Sequence, residues 1–378
     1  MTNTKFNLYF EGQISSLVNN LLIVTTVFIF ALSAIAKAEN RLRYSLLTGN
    51  ELDRNHTELK RLPPSSNVRT LPYRKGSWGL VQEAKYLITN EDNVALMVIQ
   101  DGAIVFENYK RSSNKDTKFL SMSMAKSLTA YALGQQLCDG RIRSLSDPIG
   151  KYAPDIAFTF YKDVEIYNSL RMASGHAKPT EHGHTIPKQF QKLTKTNQIE
   201  MMDLFRVASQ SAPQGTKFRY HGHDTASLER VIAATARDTN MVDAFSRNLW
   251  SKIGAGNYAF WLTDRNGTPL SFSGFYATMP DWARLALWSL ERTKENSCLG
   301  DYMRQATSKQ SKGRIENDAP QGRGFDGYGF QTWLRGEQFW WVGYGGQRIG
   351  VDPNRNRIVI VFSTAPNYMK DIFDLMDY

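Results

Sequence analysis

Cysteine is nearly absent from this chain, with Cys138 and Cys298 the only two in 378 residues. That excludes a disulfide-stapled mini-protein and any zinc ribbon built from paired Cys-x-x-Cys elements. Proline is sparse at 13, and neither an internal repeat nor a low-complexity tract occurs, so collagen-like, solenoid and disordered readings fail. Long runs of one charge sign are also missing. The formal charge is +10, from 46 Lys and Arg against 36 Asp and Glu, yet the basic residues fall in short clusters at Arg41–Arg43, Arg54–Arg61 and Lys110–Lys118. Dispersed charge of this kind is a solvated face, and without basic residues interleaved with aromatics it argues against nucleic acid as a partner. What the chain does have is 42% hydrophobic and 12% aromatic content, enough to fill one large core or two closely packed ones.

One uncharged apolar run stands out. Leu21 to Ala36 precedes Ala36-Lys37-Ala38, a small-x-small pattern that predicts a secretory leader over residues 1–38 cut after Ala38. The run is also near the lower length limit of a bilayer span, so a membrane anchor through residues 21–36 is the alternative. Either reading predicts an exported chain, periplasmic or secreted, or held at the membrane by an uncleaved segment. Lys5, Lys37 and Glu11 are the only charges such a leader carries, so the basic balance belongs to the remainder. Cys138 and Cys298 either pair in an oxidising compartment or stay as buried thiols; the spacing does not choose between them.

Residues 39–76 are polar, Arg-rich and interrupted by Pro63-Pro64, which predicts an extended N-terminal arm. After it, Leu80 to Thr89 has helical spacing, and Val94 to Gln100 and Ala103 to Tyr109 flank Asp101-Gly102, a strong signal for a two-residue hairpin. Near the C-terminus, Gly329 to Leu334, Gln338 to Val342, Arg348 to Val351 and Arg357 to Ser363 read as strands. The apolar run Ile358 to Phe362 predicts burial on both faces. Between these regions the pattern is helical, at Met124 to Leu137, Met201 to Ala208, Ala226 to Ala236, Val242 to Trp250 and Pro280 to Leu290. The expected fold is α+β: an antiparallel sheet built from both chain ends and flanked by helices, spanning 77–378, with a mostly helical insertion over roughly 140–300.

Chemistry enters at Ser123-Met124-Ala125-Lys126. A serine hydroxyl is a poor nucleophile until a base takes its proton, and a lysine three positions later on a helix shares the serine's face. Ser112-Ser113-Asn114-Lys115 has the same spacing, but it sits in a polar turn, whereas Ser123 opens an apolar helical run that stops at Asp139-Gly140. Ser123 is therefore expected at a helix N-terminus, where unpaired N–H groups favour developing negative charge. Lys126 has to be partly neutral to act as a base, which requires burial or positive neighbours.

The motifs that follow resemble the β-lactamase-related serine hydrolases, a family of class C β-lactamases, penicillin-binding proteins, esterases and 6-aminohexanoate-dimer hydrolases. The resemblance runs from about Val94 to Phe362. In order it is carried by the hairpin and Ser123-x-x-Lys126, then by Gly140-x-Ile142-x-Ser144-Leu145-x-Asp147-Pro148 and Leu170-Arg171-Met172-Ala173-Ser174-Gly175. Pro213-x-Gly215-Thr216-x-Phe218-x-Tyr220, the stretch from Gly274 to Arg284, and Gly345-Gly346-Gln347 complete it.

The resemblance implies a Ser123 nucleophile, a Lys126 and Tyr220 proton relay, and an oxyanion site at the backbone of Ser123 and Gln347. Tyr344, Gly345 and Gly346 would line the substrate on a strand. A phenol beside a lysine ammonium is expected to have a lowered pKa. Two departures bear on substrate: Gly222 stands where the family often has Asn after its tyrosine, and Tyr344-Gly345-Gly346 replaces the Lys-Thr-Gly whose cation meets a carboxylate. The first puts in doubt the side-chain amide contact β-lactamases make with substrate; the second favours a small neutral ester or amide, such as a linear 6-aminohexanoate-like amide, or a substrate anchored elsewhere, over a β-lactam.

Rival readings are a catalytically silent penicillin-fold protein that binds cell wall or a protein partner, and a zinc hydrolase. The latter would use His182-Gly183-His184 and His221-Gly222-His223, with Glu181 or Asp224. No specific metal spacing accompanies those units, so no cofactor or metal is expected for the chemistry, and His221 and His223 are assigned to substrate contact near the site mouth.

Overall fold

The computed structural model describes residues 47–48, 59–177, 200–206, 208–236, 240–311, 323–364 and 370–378, and Leu47–Tyr378 forms one compact unit. The apolar run 21–36 lies outside the described residues. Among those described, no helix is long and apolar enough to cross a membrane.

The hairpin forms as its sequence demands. Strands β2 (Asn93–Gln100) and β3 (Ala103–Tyr109) pair antiparallel. The turn between them places Asp101 at φ 50° and Gly102 at φ 80°, the left-handed pair a two-residue hairpin requires. Strand β11 (Arg357–Ser363) lies against β2 and is buried throughout. It continues into β10 (Gln347–Asp352), β9 (Gln338–Gly343), β8 (Trp333–Arg335) and β7 (Gly327–Tyr328). The order of this seven-stranded antiparallel sheet is β3-β2-β11-β10-β9-β8-β7. Gly329 to Leu334 is therefore not one strand: β7 and β8 flank a turn in which Gln331 has φ 54°.

Period-two alternation assigns the two faces of the sheet. Leu96, Val98, Val359 and Val361 join one core with Leu80, Ala84 and Leu87 of helix α1 (Trp78–Thr89) and with Ile372, Phe373 and Met376 near the C-terminus. On the opposite side, Phe362 stacks on Phe119 with ring centroids 4.4 Å apart.

A second sheet was not legible in the sequence. It has the order β1-β5-β6-β4, from β1 (Leu59–Leu62), β4 (Lys118–Leu120), β5 (Ala259–Leu262) and β6 (Phe275–Thr278). Strand β1 comes from the expected arm, with Leu62 fully buried, and β5 and β6 lie within the expected helical insertion. Strands of three or four residues give periodicity too little length to register.

The serine-bearing segment is a 3-10 turn, Met122–Met124, running into helix α2 (Ala125–Cys138), which is buried along nearly its whole length. Such a helix has almost no amphipathic signature. Helices α3 (Gly222–Thr235), α4 (Met279–Thr293) and α5 (Cys298–Ala306) surround it. The stretch 201–208 is helical only over Asp203–Arg206, and 242–250 is an α-turn followed by a π-turn, Ser246–Trp250. Cys138, the last residue of α2, is disulfide-bonded to Cys298, the first of α5.

The α2–α5 contact depends on Gly134. A Cβ there would lie 2.5 Å from the Tyr302 ring, and that ring cannot swing aside freely because its hydroxyl donates to the Ala130 carbonyl at 2.7 Å. Alanine would gain roughly 1 kcal/mol in helix propensity, but overpacking costs typically 1–3 kcal/mol. Gly134→Ala is therefore expected to destabilise the chain despite the better helix former, read as a lower urea midpoint at unchanged slope.

Candidate active site

The turn carrying Ser123 is held by a serine outside any motif. Ser121 Oγ donates to the Ser273 carbonyl at 3.0 Å and accepts from the Phe275 N–H at 3.1 Å, while the Ser121 N–H donates to Phe275 O at 2.7 Å. Met122, between the two serines, sits at φ 42°, a left-handed conformation that costs a non-glycine residue of order 1–3 kcal/mol and is tolerated where neighbours over-determine the backbone. Ser123 does not cap the helix. Its Oγ lies 3.1 Å from Lys126 Nζ, so the i, i+3 spacing brings the serine hydroxyl and the lysine amine into contact.

Lys126 is 1% exposed. Its Nζ contacts Ser123 Oγ and the Phe272 carbonyl, the latter at 3.1 Å, with the rings of Tyr220 and Phe272 at 5.0 and 5.3 Å. No ion pair to a carboxylate is found for it among the described residues. Burial alone pushes the amine down to about 7, because the interior penalises the charged form and nothing negative compensates.

Tyr220 lies beside this pair, its ring against Trp333 at 5.2 Å and Tyr328 at 6.2 Å. Its phenol is not lowered as the sequence suggested. Desolvation pushes it up to about 12, opposed by a hydrogen bond with Ser123 and by the charge of Arg348. The physical reason is that a lysine already driven toward neutrality supplies little positive charge to a neighbouring phenol.

Tyr344, Gly345 and Gly346 form the turn of the β9–β10 hairpin rather than part of a strand, with Gly345 at φ 80° and Gly346 at φ 94°. This hairpin end abuts the serine turn: a Cβ on Gly343 would fall 2.5 Å from the Ser121 carbonyl. Gln347 opens β10, and its side chain is directed into the sheet. Its Nε2 donates to the carbonyls of Tyr344 (3.1 Å) and Ser363 (3.0 Å), and its Oε1 accepts from the Ser363 N–H. Gly222 also has a steric reason, since a Cβ there would meet the Phe272 ring at 3.0–3.2 Å. The ring occupies the space an asparagine would need.

His221 and His223 follow Tyr220; His221 is buried and His223 half-buried. Both pack against His176, at ring centroids of 4.5 and 4.2 Å from it, and burial holds all three imidazoles below their ordinary pKa. Glu181, His182 and His184 lie outside the described residues. The sequence reading missed Arg348, Phe272, Ser121 and this role of His176. Arg348 left a signal, a charged residue at the head of the strand expected over Arg348 to Val351. It is 2% exposed, its Nη1 donates to the carbonyls of Gln347 (2.8 Å) and Gly343, and burial brings its pKa down to about 10. Phe272 and Ser121 left none.

The chain is 22% identical over 294 residues to the 6-aminohexanoate-dimer hydrolase of Paenarthrobacter ureafaciens, covering 72% of this chain and 73% of that one. A 6-aminohexanoate-dimer hydrolase-like protein from Bacillus anthracis superposes with a TM-score of 0.73 at 20% identity, over 89% of this chain and 92% of its own. A penicillin-binding protein from Bacillus halodurans superposes with a TM-score of 0.59 at 18% identity, over 78% and 98%. The Beta-lactamase family model matches residues 87–375, a span that holds the serine turn, Lys126, Tyr220 and the hairpin beside them, and the chain belongs to that family.

Proposed function

We propose that this chain is an exported serine hydrolase that cleaves a neutral linear amide or ester through a covalent acyl-enzyme. The observation that carries the reading is a fully buried lysine, poised near neutrality and 3.1 Å from a serine hydroxyl. A neutral Lys126 donates one N–H to the Phe272 carbonyl, which aims its lone pair at Ser123. Ser123 Oγ–H gives its proton to that amine as Oγ bonds to the substrate carbonyl carbon, and the carbonyl oxygen takes the negative charge. The backbone N–H groups of Ser123 and Gln347 hold that oxyanion.

Collapse of the intermediate breaks the C–N or C–O bond. Tyr220, kept protonated by its high pKa, donates its proton to the leaving group and recovers one from Lys126. Water then attacks the acyl carbon, with the same pair acting in reverse, and releases the acid.

The substrate class is supported by what faces the site. No lysine or histidine occupies the hairpin turn, and the Arg348 guanidinium donates to main-chain carbonyls in the interior, so a carboxylate-anchored β-lactam or D-peptide is poorly served. Phe272 in place of an amide leaves an apolar wall suited to an aliphatic acyl chain. That the relative from Paenarthrobacter is named for a 6-aminohexanoate dimer supports a linear amide. Export is supported by the apolar N-terminal run and by the Cys138–Cys298 disulfide, a bond rare in reducing compartments.

A fluorophosphonate probe should label the protein once, with the adduct absent in Ser123→Ala and unaffected by chelators. Hydrolysis of p-nitrophenyl esters and a linear aminohexanoate amide should exceed that of nitrocefin in kcat/KM. Labelling that persists in Ser123→Ala would remove the nucleophile assignment, and the reverse order of substrates would remove the substrate preference.

A further inference from the structure

The chemistry proposed above leaves His176, His221 and His223 without a task. Each offers one ring nitrogen to a common point, all within 4.8 Å of one another. His176 reaches this place through Gly175, whose φ of 87° and contact with the Ala212 carbonyl, 2.1 Å from where a Cβ would stand, admit glycine alone. The other two are brought by the segment that begins α3.

Buried polar atoms ordinarily have partners, yet His176 Nε2, His223 Nε2, both ring nitrogens of His221 and Asp224 Oδ2 are buried with no hydrogen bond. The other ring contacts are those of metal-bound imidazoles. His176 Nδ1 meets the Ala177 carbonyl and His223 bonds the Leu204 carbonyl. Such outer contacts fix the tautomer and leave the opposite nitrogen as a bare lone pair. Asp224, fully buried, accepts from Tyr161 OH at 2.8 Å through Oδ1 and stands 3.5 Å from His221 Nε2 through Oδ2, close enough to orient that ring.

We propose that His176, His221 and His223 form a zinc-type transition-metal site, with Asp224 as the carboxylate that orients His221. Three neutral imidazoles suit zinc, nickel or copper rather than calcium or magnesium. Zn–N bonds of roughly 2.0–2.1 Å put tetrahedral ligand nitrogens about 3.4 Å apart, so nitrogens within 4.8 Å of one another would draw together on binding by at most about 1.4 Å. Among the described residues, the cations that face the cluster are Lys126 and Arg219, and Arg219 Nη1 donates to the His176 carbonyl at 2.7 Å. The ion's role is to tie the His176 segment to the one carrying Tyr220, one residue before His221. It lies outside the acyl-transfer steps, and the proposal holds whether or not Ser123 is the nucleophile.

The test uses the full chain, stripped with chelator and reloaded with zinc or cobalt. One zinc per chain should survive gel filtration and raise Tm, and cobalt should give the intense visible bands of a tetrahedral nitrogen-rich site. His176→Gln and His223→Gln, near in size to the originals, should each weaken zinc binding by at least ~100-fold while circular dichroism and an unchanged gel-filtration elution report an intact fold. Failure of the wild-type chain to retain zinc overturns the proposal. So does equal zinc retention in both variants, which would place the ion elsewhere, as at His182 and His184.

Discussion

Replacing Lys126 with methionine is expected to lower kcat/KM by at least about 10³-fold, the loss typical of removing the base from a nucleophile–base pair, while making the folded chain more stable. The two effects have one origin. Holding the amine at about 7 instead of 10.5 means that folding works against the charged form by about 5 kcal/mol. Methionine fills similar space without charge, and part of that cost returns. The acceptors at Ser123 and Phe272 lose a donor, which leaves a net gain of about 1–3 kcal/mol.

The sign with pH follows from proton counting. Below about pH 7 the lysine is charged in both states, and the full burial cost is present. Between pH 7 and 10.5 the unfolded chain holds a proton that the folded chain has released, so wild-type stability climbs with pH. The advantage of Lys126→Met over wild type is therefore largest at pH 6 and fades toward pH 10, measured by urea denaturation at both values. Wild-type kcat/KM should rise with pH through an apparent pKa of about 7, as the lysine loses its proton. A variant less stable than wild type at pH 6 would mean that Lys126 is not a buried, uncompensated cation.

Breaking the Cys138–Cys298 bond should produce the largest loss of stability with the least effect on chemistry. The two residues are 160 apart in sequence. A cross-link over a loop of that length restricts the unfolded chain by about 5 kcal/mol in the chain-entropy account, and engineered pairs often deliver less. Ser123 lies 15 positions before Cys138 along essentially one helical segment, about 22 Å at 1.5 Å per residue. The double variant Cys138→Ala/Cys298→Ala should thus unfold at a much lower urea concentration yet keep wild-type kcat/KM at low temperature. Loss of activity in a chain still folded by circular dichroism would show that the bond also holds the serine turn in place.

Particular residues show where sequence reading succeeded and where it stopped. Asp101-Gly102 and the run Ile358 to Phe362 were legible because turn conformation and strand burial are local properties of residue type. Ser123 and Lys126 were legible as a pair because helical spacing alone puts them on one face. The second sheet was not, since its strands have only three or four residues. Helix α2 was legible by its length and its Asp139-Gly140 stop, although burial on nearly every side leaves it almost no amphipathic stripe. The hairpin turn at Tyr344 to Gly346 was taken for strand, although two glycines at positive φ are a turn signal.

By itself the sequence determined the first hairpin, the serine-bearing helix, the antiparallel sheet shared by the two chain ends, and the residue types able to carry acyl transfer. Those rest on local geometry: 3.6 residues per turn, alternation along a strand, and the conformations glycine permits. The tertiary structure alone decided that burial lowers the Lys126 amine and raises the Tyr220 phenol, that the two cysteines meet, and that His176 joins His221 and His223. Each of these depends on burial or on contact between distant segments, and no window of sequence contains the dielectric around a side chain or the partner that arrives from elsewhere in the chain.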